Sequence, residues 1–193
     1  MSQRVAVTGS TGMIGGALVT ALRARGDEVV RLVRHAPQRP DEVVWDPASR
    51  TLDPTALDGV DAVVHLAGAP VSVRWTAGNR SSILTSRTDG TYAVASGIAA
   101  SRRPVRFLSG SAMGFYGDRG EEVLTEASGP GDGFLPDVVL AWEASARPAV
   151  EAGAPTAYLR TGLVLSATGA AMERMLPLAR LGLGGPLGSG RQW

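Results

Sequence analysis

The chain contains no cysteine, no lysine and few aromatic residues. Without cysteine it can form no disulfide and has no thiol nucleophile. All 19 basic residues are arginine, so the chain has no lysine base, Schiff-base former or ribose-binding ammonium group. No apolar run approaches the length of a membrane span, and the polar N-terminus leads at once into a strand pattern. We therefore expect neither a membrane anchor nor a signal peptide.

Composition limits the classes of partner. The 19 basic and 18 acidic residues give a net charge of +1, which argues against bulk attraction to nucleic acid or membranes. A length of 193 residues with 44% hydrophobic content suits one globular domain with a sizeable core. We expect a cytoplasmic protein that acts on a small molecule, with no nucleic-acid or membrane partner and no metal site.

A glycine-spaced run, TGSTGMIG at residues 8–15, follows an apolar strand pattern and opens a helix pattern. Gly9 allows a sharp turn out of the strand, Gly12 lets the backbone approach a pyrophosphate, and Gly15 lets the helix pack closely on the sheet. The free N–H groups of the helix start then face the phosphates. This context favours a dinucleotide site over an ordinary strand–turn–helix with glycines where turns need them.

Strand and helix patterns alternate along the chain, which predicts a parallel sheet covered on both faces. We predict a doubly wound α/β Rossmann fold with strand order 3-2-1-4-5-6. Helices are expected at 13–25, 79–100 and 136–152, the last with a kink or early end at Pro148. Strands are expected at residues 4–8, 28–33, 42–45, 62–66, 105–109 and 156–160.

The second strand ends at Val33-Arg34, where an NAD-binding fold places an acid against the ribose 2′-hydroxyl. Arginine there suits a 2′-phosphate instead, so NADP(H) is preferred over NAD(H), with His35 and Arg39 as further cations. The alternative is a solvated arginine at a strand end. Asp46 is a candidate partner of the adenine amino group, or equally a turn residue.

The fourth strand ends in His65 and the small-residue segment Leu66, Ala67 and Gly68, which would lie against the cofactor. A lone histidine on an apolar strand is more often a core residue than a catalyst, and we expect that of His65.

The fifth strand leads into SGSAMGFYG at 109–117, where Ser111 can orient a substrate oxygen. Tyr116 is either a proton donor or a packed aromatic residue. No tyrosine is followed four residues later by lysine. Asp137 and Glu143 are alternative acids or bases, although solvation at the surface is the expectation for both.

Ten segments together resemble the atypical or extended short-chain dehydrogenase/reductases, in particular the YfcH-like NAD(P)-dependent sugar-nucleotide epimerase family. The resemblance implies NADP(H) binding, contacts to the cofactor from Arg87 and Arg160 (or salt bridges instead), and a homodimer as one option. The proton-transfer pair of the short-chain dehydrogenase/reductases, Tyr-x-x-x-Lys, is absent from this sequence. The segments are 8–15, 44–47, 66–68, 74–75, 86–91, 109–117, 122–126, 142–143, 159–162 and 181–193.

These patterns predict an NADP(H)-dependent protein, and the resemblance implies an oxidoreductase or epimerase acting on a carbonyl, hydroxyl or nucleotide-sugar substrate. The alternative is an NADP(H)-binding sensor or interaction protein without catalysis. We expect a nucleotide-binding domain at 1–180 and, at 181–193, the truncated start of a glycine-rich loop whose substrate cap is missing. Ser111 and Tyr116 are the catalytic candidates. The predicted cofactor contacts are Gly9, Thr11, Gly12, Met13, Ile14, Gly15, Val33, Arg34, Asp46, Leu66, Ala67, Gly68, Arg87, Ser109 and Arg160.

Overall fold

A computed structural model of the chain describes residues 2–166, 169–186 and 190. Two compact units divide it at residue 162, the first at 1–162 and the second at 163–193. The predicted end of the nucleotide-binding domain lay at 180, and that boundary stays a prediction. Within the predicted glycine-rich segment, residues 187–189 and 191–193 lie outside the described residues.

The first unit is built on a six-stranded sheet in which every neighbouring pair of strands is parallel. Its order, β3-β2-β1-β4-β5-β6, confirms the predicted doubly wound topology. The fifth strand continues three residues beyond the predicted end at Ser109, so Ser111 lies within the strand. The strands are β1 (Arg4–Thr8), β2 (Glu28–Val33), β3 (Glu42–Val44), β4 (Ala62–His65), β5 (Arg106–Ala112) and β6 (Thr156–Thr161).

Helices cross between the strands of this sheet. The helix predicted at 136–152 is two helices, because it ends at Ala144 and a new one begins at Arg147 with Pro148 in its first turn. Proline is tolerated there since a first-turn N–H has no intrahelical partner. The helices of the first unit are α1 (Met13–Ala24), α2 (Ala77–Ala99), α3 (Phe134–Ala144) and α4 (Arg147–Glu151).

The core lies on both faces of the sheet. On one face Val5 and Val7 of β1 pack in a cluster with Val19 of α1. On the other face Ala6 belongs to a larger cluster that includes Val94 of α2. Successive residues of β1 therefore serve opposite layers, as a strand covered on both sides requires.

The second unit contains one described helix, α5 (Ala170–Arg180), with Pro177 inside it. No helix among the described residues has the length and apolar character needed to cross a membrane.

Candidate functional site

A cleft of about 770 Å³ opens at the carboxyl ends of β1, β2 and β4. These strands meet where the chain order of the sheet reverses, between β1 and β4, which is where open parallel sheets bind ligands. The size is within the range of small-molecule and cofactor sites. We call this the nucleotide cleft. It is lined by Gly9, Ser10, Thr11, Gly12, Leu32, Val33, Arg34, His35, Trp45, Pro47, Leu66, Ala67, Gly68, Ala69, Pro70, Ser82 and Ser86.

The glycine turn at the floor of the cleft leaves no room for side chains. Gly9 has a φ of +65°, and a Cβ there would lie 2.9 Å from the carbonyl carbon of Leu66. A Cβ on Gly15 would lie 2.2 Å from the Gly9 carbonyl oxygen. The Gly12 N–H donates to that same oxygen at 3.0 Å. The missing side chains at these glycines leave the backbone at the start of α1 open to a ligand, and its contact to a phosphate stays a prediction.

The rim of the nucleotide cleft on the β2 side carries two basic residues, Arg34 and His35. Both are exposed, and Arg34 forms no ion pair with any described residue. Asp46 lies outside the lining, and its Oδ1 accepts the Ala48 N–H at 2.9 Å. Asp46 thus makes the hydrogen bond of a turn residue, and its contact to the adenine amino group stays a prediction.

A hydroxyl joins β1 to β4 directly beneath the cleft. Thr8 Oγ1 accepts the N–H groups of Leu66 at 3.0 Å and Ala67 at 3.2 Å. Its own hydrogen is left to donate to His65 Nδ1, 2.8 Å away, so the His65 proton belongs on Nε2. Complete burial lowers the pKa of His65 to about 4. His65 is thus a neutral core histidine that fixes the cleft floor, which agrees with its expected role.

The segment Leu66, Ala67 and Gly68 forms one wall of the cleft, which we call the small-residue wall, and Arg87 lies behind it. Its Nη1 donates to the carbonyls of Ala69 at 3.1 Å and Ile83 at 3.0 Å, and a Cβ on Gly68 would lie 3.3 Å from its Cζ. Burial lowers its pKa. It makes no ion pair among the described residues, so the salt-bridge alternative is not what the structure contains. Buried charges are usually paired, so an anionic ligand in the cleft is a suitable partner for this half-buried cation.

A polar cluster lies at the ends of β5 and β6. Ser111 and Arg160 are register partners on these strands, and Glu143 reaches both from α3. Ser111 Oγ donates to Glu143 Oε1 at 2.6 Å, and Arg160 grips both carboxylate oxygens, Nε to Oε1 at 2.9 Å and Nη2 to Oε2 at 3.0 Å. Arg160 Nη1 also donates to the Tyr116 phenol oxygen at 3.0 Å. We call these four residues the acid–base cluster.

The acid–base cluster corrects one expectation and qualifies another. Glu143 was expected to be solvated, yet its side chain is only 13% exposed because Arg160 and Ser111 hold it. Arg160 forms the salt bridge considered as the alternative to a cofactor contact, and the hydrogen bond to Glu143 raises its pKa. Its contact to the cofactor stays a prediction. Tyr116 and Arg160 also line a second cleft of about 480 Å³ together with Leu124, Thr125, Glu126 and Tyr158.

The remaining predicted contacts divide by position. Met13 and Ile14 are partly exposed in the first turn of α1 and lie outside the cleft lining, and Ser109 is fully buried with its hydroxyl on the Gly110 carbonyl. Sequence reasoning missed Ser82 and Ser86, whose spacing of four places them on one face of α2. It also missed Ser10, although that residue stands inside the glycine motif.

Comparisons with known proteins fit this geometry. A family model described as the NAD dependent epimerase/dehydratase family matches residues 5–134. An epimerase family protein of Mycobacterium bovis is 43% identical over 190 residues, which cover 98% of this chain. A solved nucleoside-diphosphate sugar epimerase from Corynebacterium glutamicum superposes with a TM-score of 0.86 at 41% identity, covering 100% of this chain and 40% of that one.

The human epimerase family protein SDR39U1, solved with NADPH, superposes with a TM-score of 0.85 at 35% identity. That match covers 98% of this chain and 64% of the human one. The chain spans 63% of the length of the Mycobacterium bovis relative. These likenesses confirm the Rossmann fold and the resemblance to short-chain dehydrogenase/reductases.

Proposed function

This chain belongs to the NAD dependent epimerase/dehydratase family, and from that premise we propose that it binds NADP(H) in the nucleotide cleft and exchanges hydride with an alcohol or carbonyl substrate. The observation that carries the proposal is the pairing, in one cleft, of a glycine turn with Arg34 at the end of β2. The NADPH in the human relative's structure supports the same nucleotide.

The residues of the cleft fit a dinucleotide with a 2′-phosphate. The start of α1 would hold the diphosphate, because its glycines keep side chains away and its N–H groups are free. Arg34, with no competing carboxylate among the described residues, would hold the 2′-phosphate. Arg87 would add positive charge behind the small-residue wall. The nicotinamide supplies hydride exchange when it is bound.

The acid–base cluster would handle the proton. Its serine lies on β5, two inter-strand spacings from β1, or roughly 10 Å, which is within reach of an extended dinucleotide. Ser111 gives its hydrogen to Glu143, so its oxygen can accept a hydrogen bond from a substrate hydroxyl. On oxidation that proton would pass to Ser111 Oγ while the serine proton passes to Glu143.

Tyr116 would act from the other side of the cluster. Its phenol oxygen already accepts from Arg160, so its own hydrogen is available to a substrate carbonyl oxygen. Arg160 places a positive charge next to the phenol, as the lysine of the Tyr-x-x-x-Lys pair does in the wider superfamily. We propose that the substrate is a small hydroxyl or carbonyl compound or a nucleotide sugar, and the name of the Corynebacterium relative supports the latter.

A second candidate is an NADP(H)-binding protein without turnover, and the absence of lysine favours it. The two proposals share the cofactor and differ in chemistry. The test follows NADPH absorbance with the purified chain and a panel of aldehydes and ketones, and NADP+ reduction with a panel of alcohols and nucleotide sugars. The sugar products are also analysed for epimers, because epimerisation leaves no net change in the cofactor. Net oxidation or reduction of the cofactor, or an epimerised product, supports the oxidoreductase. Saturable NADPH binding with neither result supports the binding protein.

A further inference from the structure

An arginine lies buried in the second strand, close to the nucleotide cleft but outside its lining. The side chain of Arg31 is 9% exposed and that of its partner Glu42 is 4% exposed. They are register partners on β2 and β3, with Arg31 Nη1 3.1 Å from Glu42 Oε1. Burying an ion pair is costly, and apolar residues of the same volume often serve stability as well or better. The pair therefore calls for a role beyond holding two strands together.

The pair connects the two segments that would hold phosphate groups. Arg31 Nε donates to Ser10 Oγ at 3.2 Å, and Ser10 belongs to the glycine turn. The other carboxylate oxygen of Glu42 accepts the Gln38 N–H at 2.8 Å, in the loop that follows Arg34. One buried charge pair thus fixes the glycine turn relative to the loop that begins with Arg34.

The direction of the Ser10 hydrogen bond decides what Ser10 can do. Arginine has only hydrogens to give, so Ser10 Oγ is the acceptor and keeps its own hydrogen for another partner. No described residue accepts that hydrogen, although Ser10 is only 6% exposed and lines the nucleotide cleft. The hydroxyl is therefore a donor held at the cleft surface by a buried cation.

We propose that Ser10 donates a hydrogen bond to the 2′-phosphate of the cofactor and that Arg31, anchored by Glu42, positions it. The assignment rests on the proposed NADP(H) site. The 2′-phosphate is favoured over the diphosphate because Ser10 is hydrogen-bonded to Arg31 of β2, and Arg34 follows directly after the end of this strand at Val33. The diphosphate instead faces the N–H groups at the start of α1.

The test is a fluorescence titration of the whole chain and its Ser10→Ala variant with NADPH and NADH. Ser10→Ala removes one hydrogen bond to a charged phosphate. We therefore expect it to raise the Kd for NADPH about tenfold and the Kd for NADH less than about twofold. Adenosine 2′,5′-bisphosphate should lose affinity in parallel, and adenosine 5′-monophosphate should not. Ser145→Ala is the matched control, because that hydroxyl donates to a carbonyl within α3.

The positioning role of Arg31 has its own readout. Arg31→Lys keeps a cation opposite Glu42 and removes the Nε–H that reaches Ser10. We expect a smaller loss of NADPH-over-NADH preference than in Ser10→Ala, and no further loss when both changes are combined. Additive losses in the double variant would assign Arg31 an effect independent of Ser10 and overturn its positioning role.

Three outcomes separate this inference from the proposed function. If the unmodified chain prefers NADPH and Ser10→Ala lowers that preference, the inference stands. If the unmodified chain prefers NADPH and Ser10→Ala keeps the full preference, the inference is wrong and the proposed function survives. If the unmodified chain binds neither nucleotide, the proposed function fails and the inference falls with it.

Discussion

Two adjacent glycines in α1 give a matched test of how the nucleotide cleft is built. A Cβ on Gly15 would lie 2.2 Å from the Gly9 carbonyl oxygen and 3.0 Å from the Ser10 Cα. A Cβ on Gly16 would meet nothing closer than the Ser10 carbonyl oxygen at 3.8 Å, an ordinary contact. Gly15→Ala therefore pushes α1 away from the glycine turn, and Gly16→Ala leaves the turn in place.

The expected magnitudes follow from opposing effects. Alanine is favoured over glycine in a helix by about 1 kcal/mol, so Gly16→Ala should be neutral or slightly stabilising. Gly15→Ala gains the same amount but forces backbone apart, and overpacking costs about 1–3 kcal/mol or more. Because the obstructing atoms are backbone, we expect the upper part of that range. The net loss of about 1–2 kcal/mol should lower Tm by roughly 2–8 °C for a chain of this size.

The assay pairs thermal unfolding with NADPH titration for both variants. Gly15→Ala should also weaken NADPH binding by about tenfold or more, since a shift near 1 Å breaks hydrogen bonds that require 2.7–3.2 Å. A Gly15→Ala protein as stable as Gly16→Ala, with the same NADPH affinity, would refute the argument that Gly15 is required for close helix–turn packing.

Three other predictions test the charges and the proton path. Arg34→Glu should raise the Kd for NADPH by about tenfold or more and change the Kd for NADH much less. The control is Arg103→Glu, at an exposed arginine outside the cleft lining, which should change neither Kd. Equal losses of affinity for both nucleotides in Arg34→Glu would exclude a 2′-phosphate contact. Burial lowers the pKa of His65 from the usual 6.5 to about 4. Between these two pH values the unfolded chain binds more protons than the folded chain. The free energy of unfolding should therefore fall by about 3 kcal/mol as the pH falls from about 6.5 to about 4. Urea unfolding at several pH values measures this loss. If the free energy of unfolding of His65→Gln depends on pH as strongly as that of the unmodified chain, the prediction is wrong. With a substrate in hand, Ser111→Ala and Glu143→Gln should each abolish NADPH turnover while retaining NADPH affinity, and full turnover in either variant would remove that residue from the proton path.

Local patterns were sufficient to predict the scaffold. Alternating strand and helix patterns predict the sheet order, and the glycine spacing at 8–15 predicts the turn, because both depend on residues close together in sequence. The role predicted for Arg34 likewise rests on a local feature, its position directly after β2. Pro148 marks the break between α3 and α4 for the same local reason.

Contacts between distant segments could not be predicted in this way. Glu143 is drawn inward by Arg160 and Ser111, which lie 17 and 32 residues away in sequence. Arg31 did leave a signal, since a charged residue within an apolar strand covered on both faces needs a partner. That partner, Glu42, becomes evident only when the register of β2 and β3 is known.

Nucleotide binding is tested by an equilibrium fluorescence titration of the purified chain with NADPH and, separately, with NADH. We expect saturable binding of both nucleotides with a preference for NADPH of about tenfold or more, that is, about 1.4 kcal/mol or more. Equal affinity for the two, or tighter binding of NADH, would contradict the assignment of Arg34 and the β2 rim to the 2′-phosphate. No binding of either would contradict the nucleotide site itself.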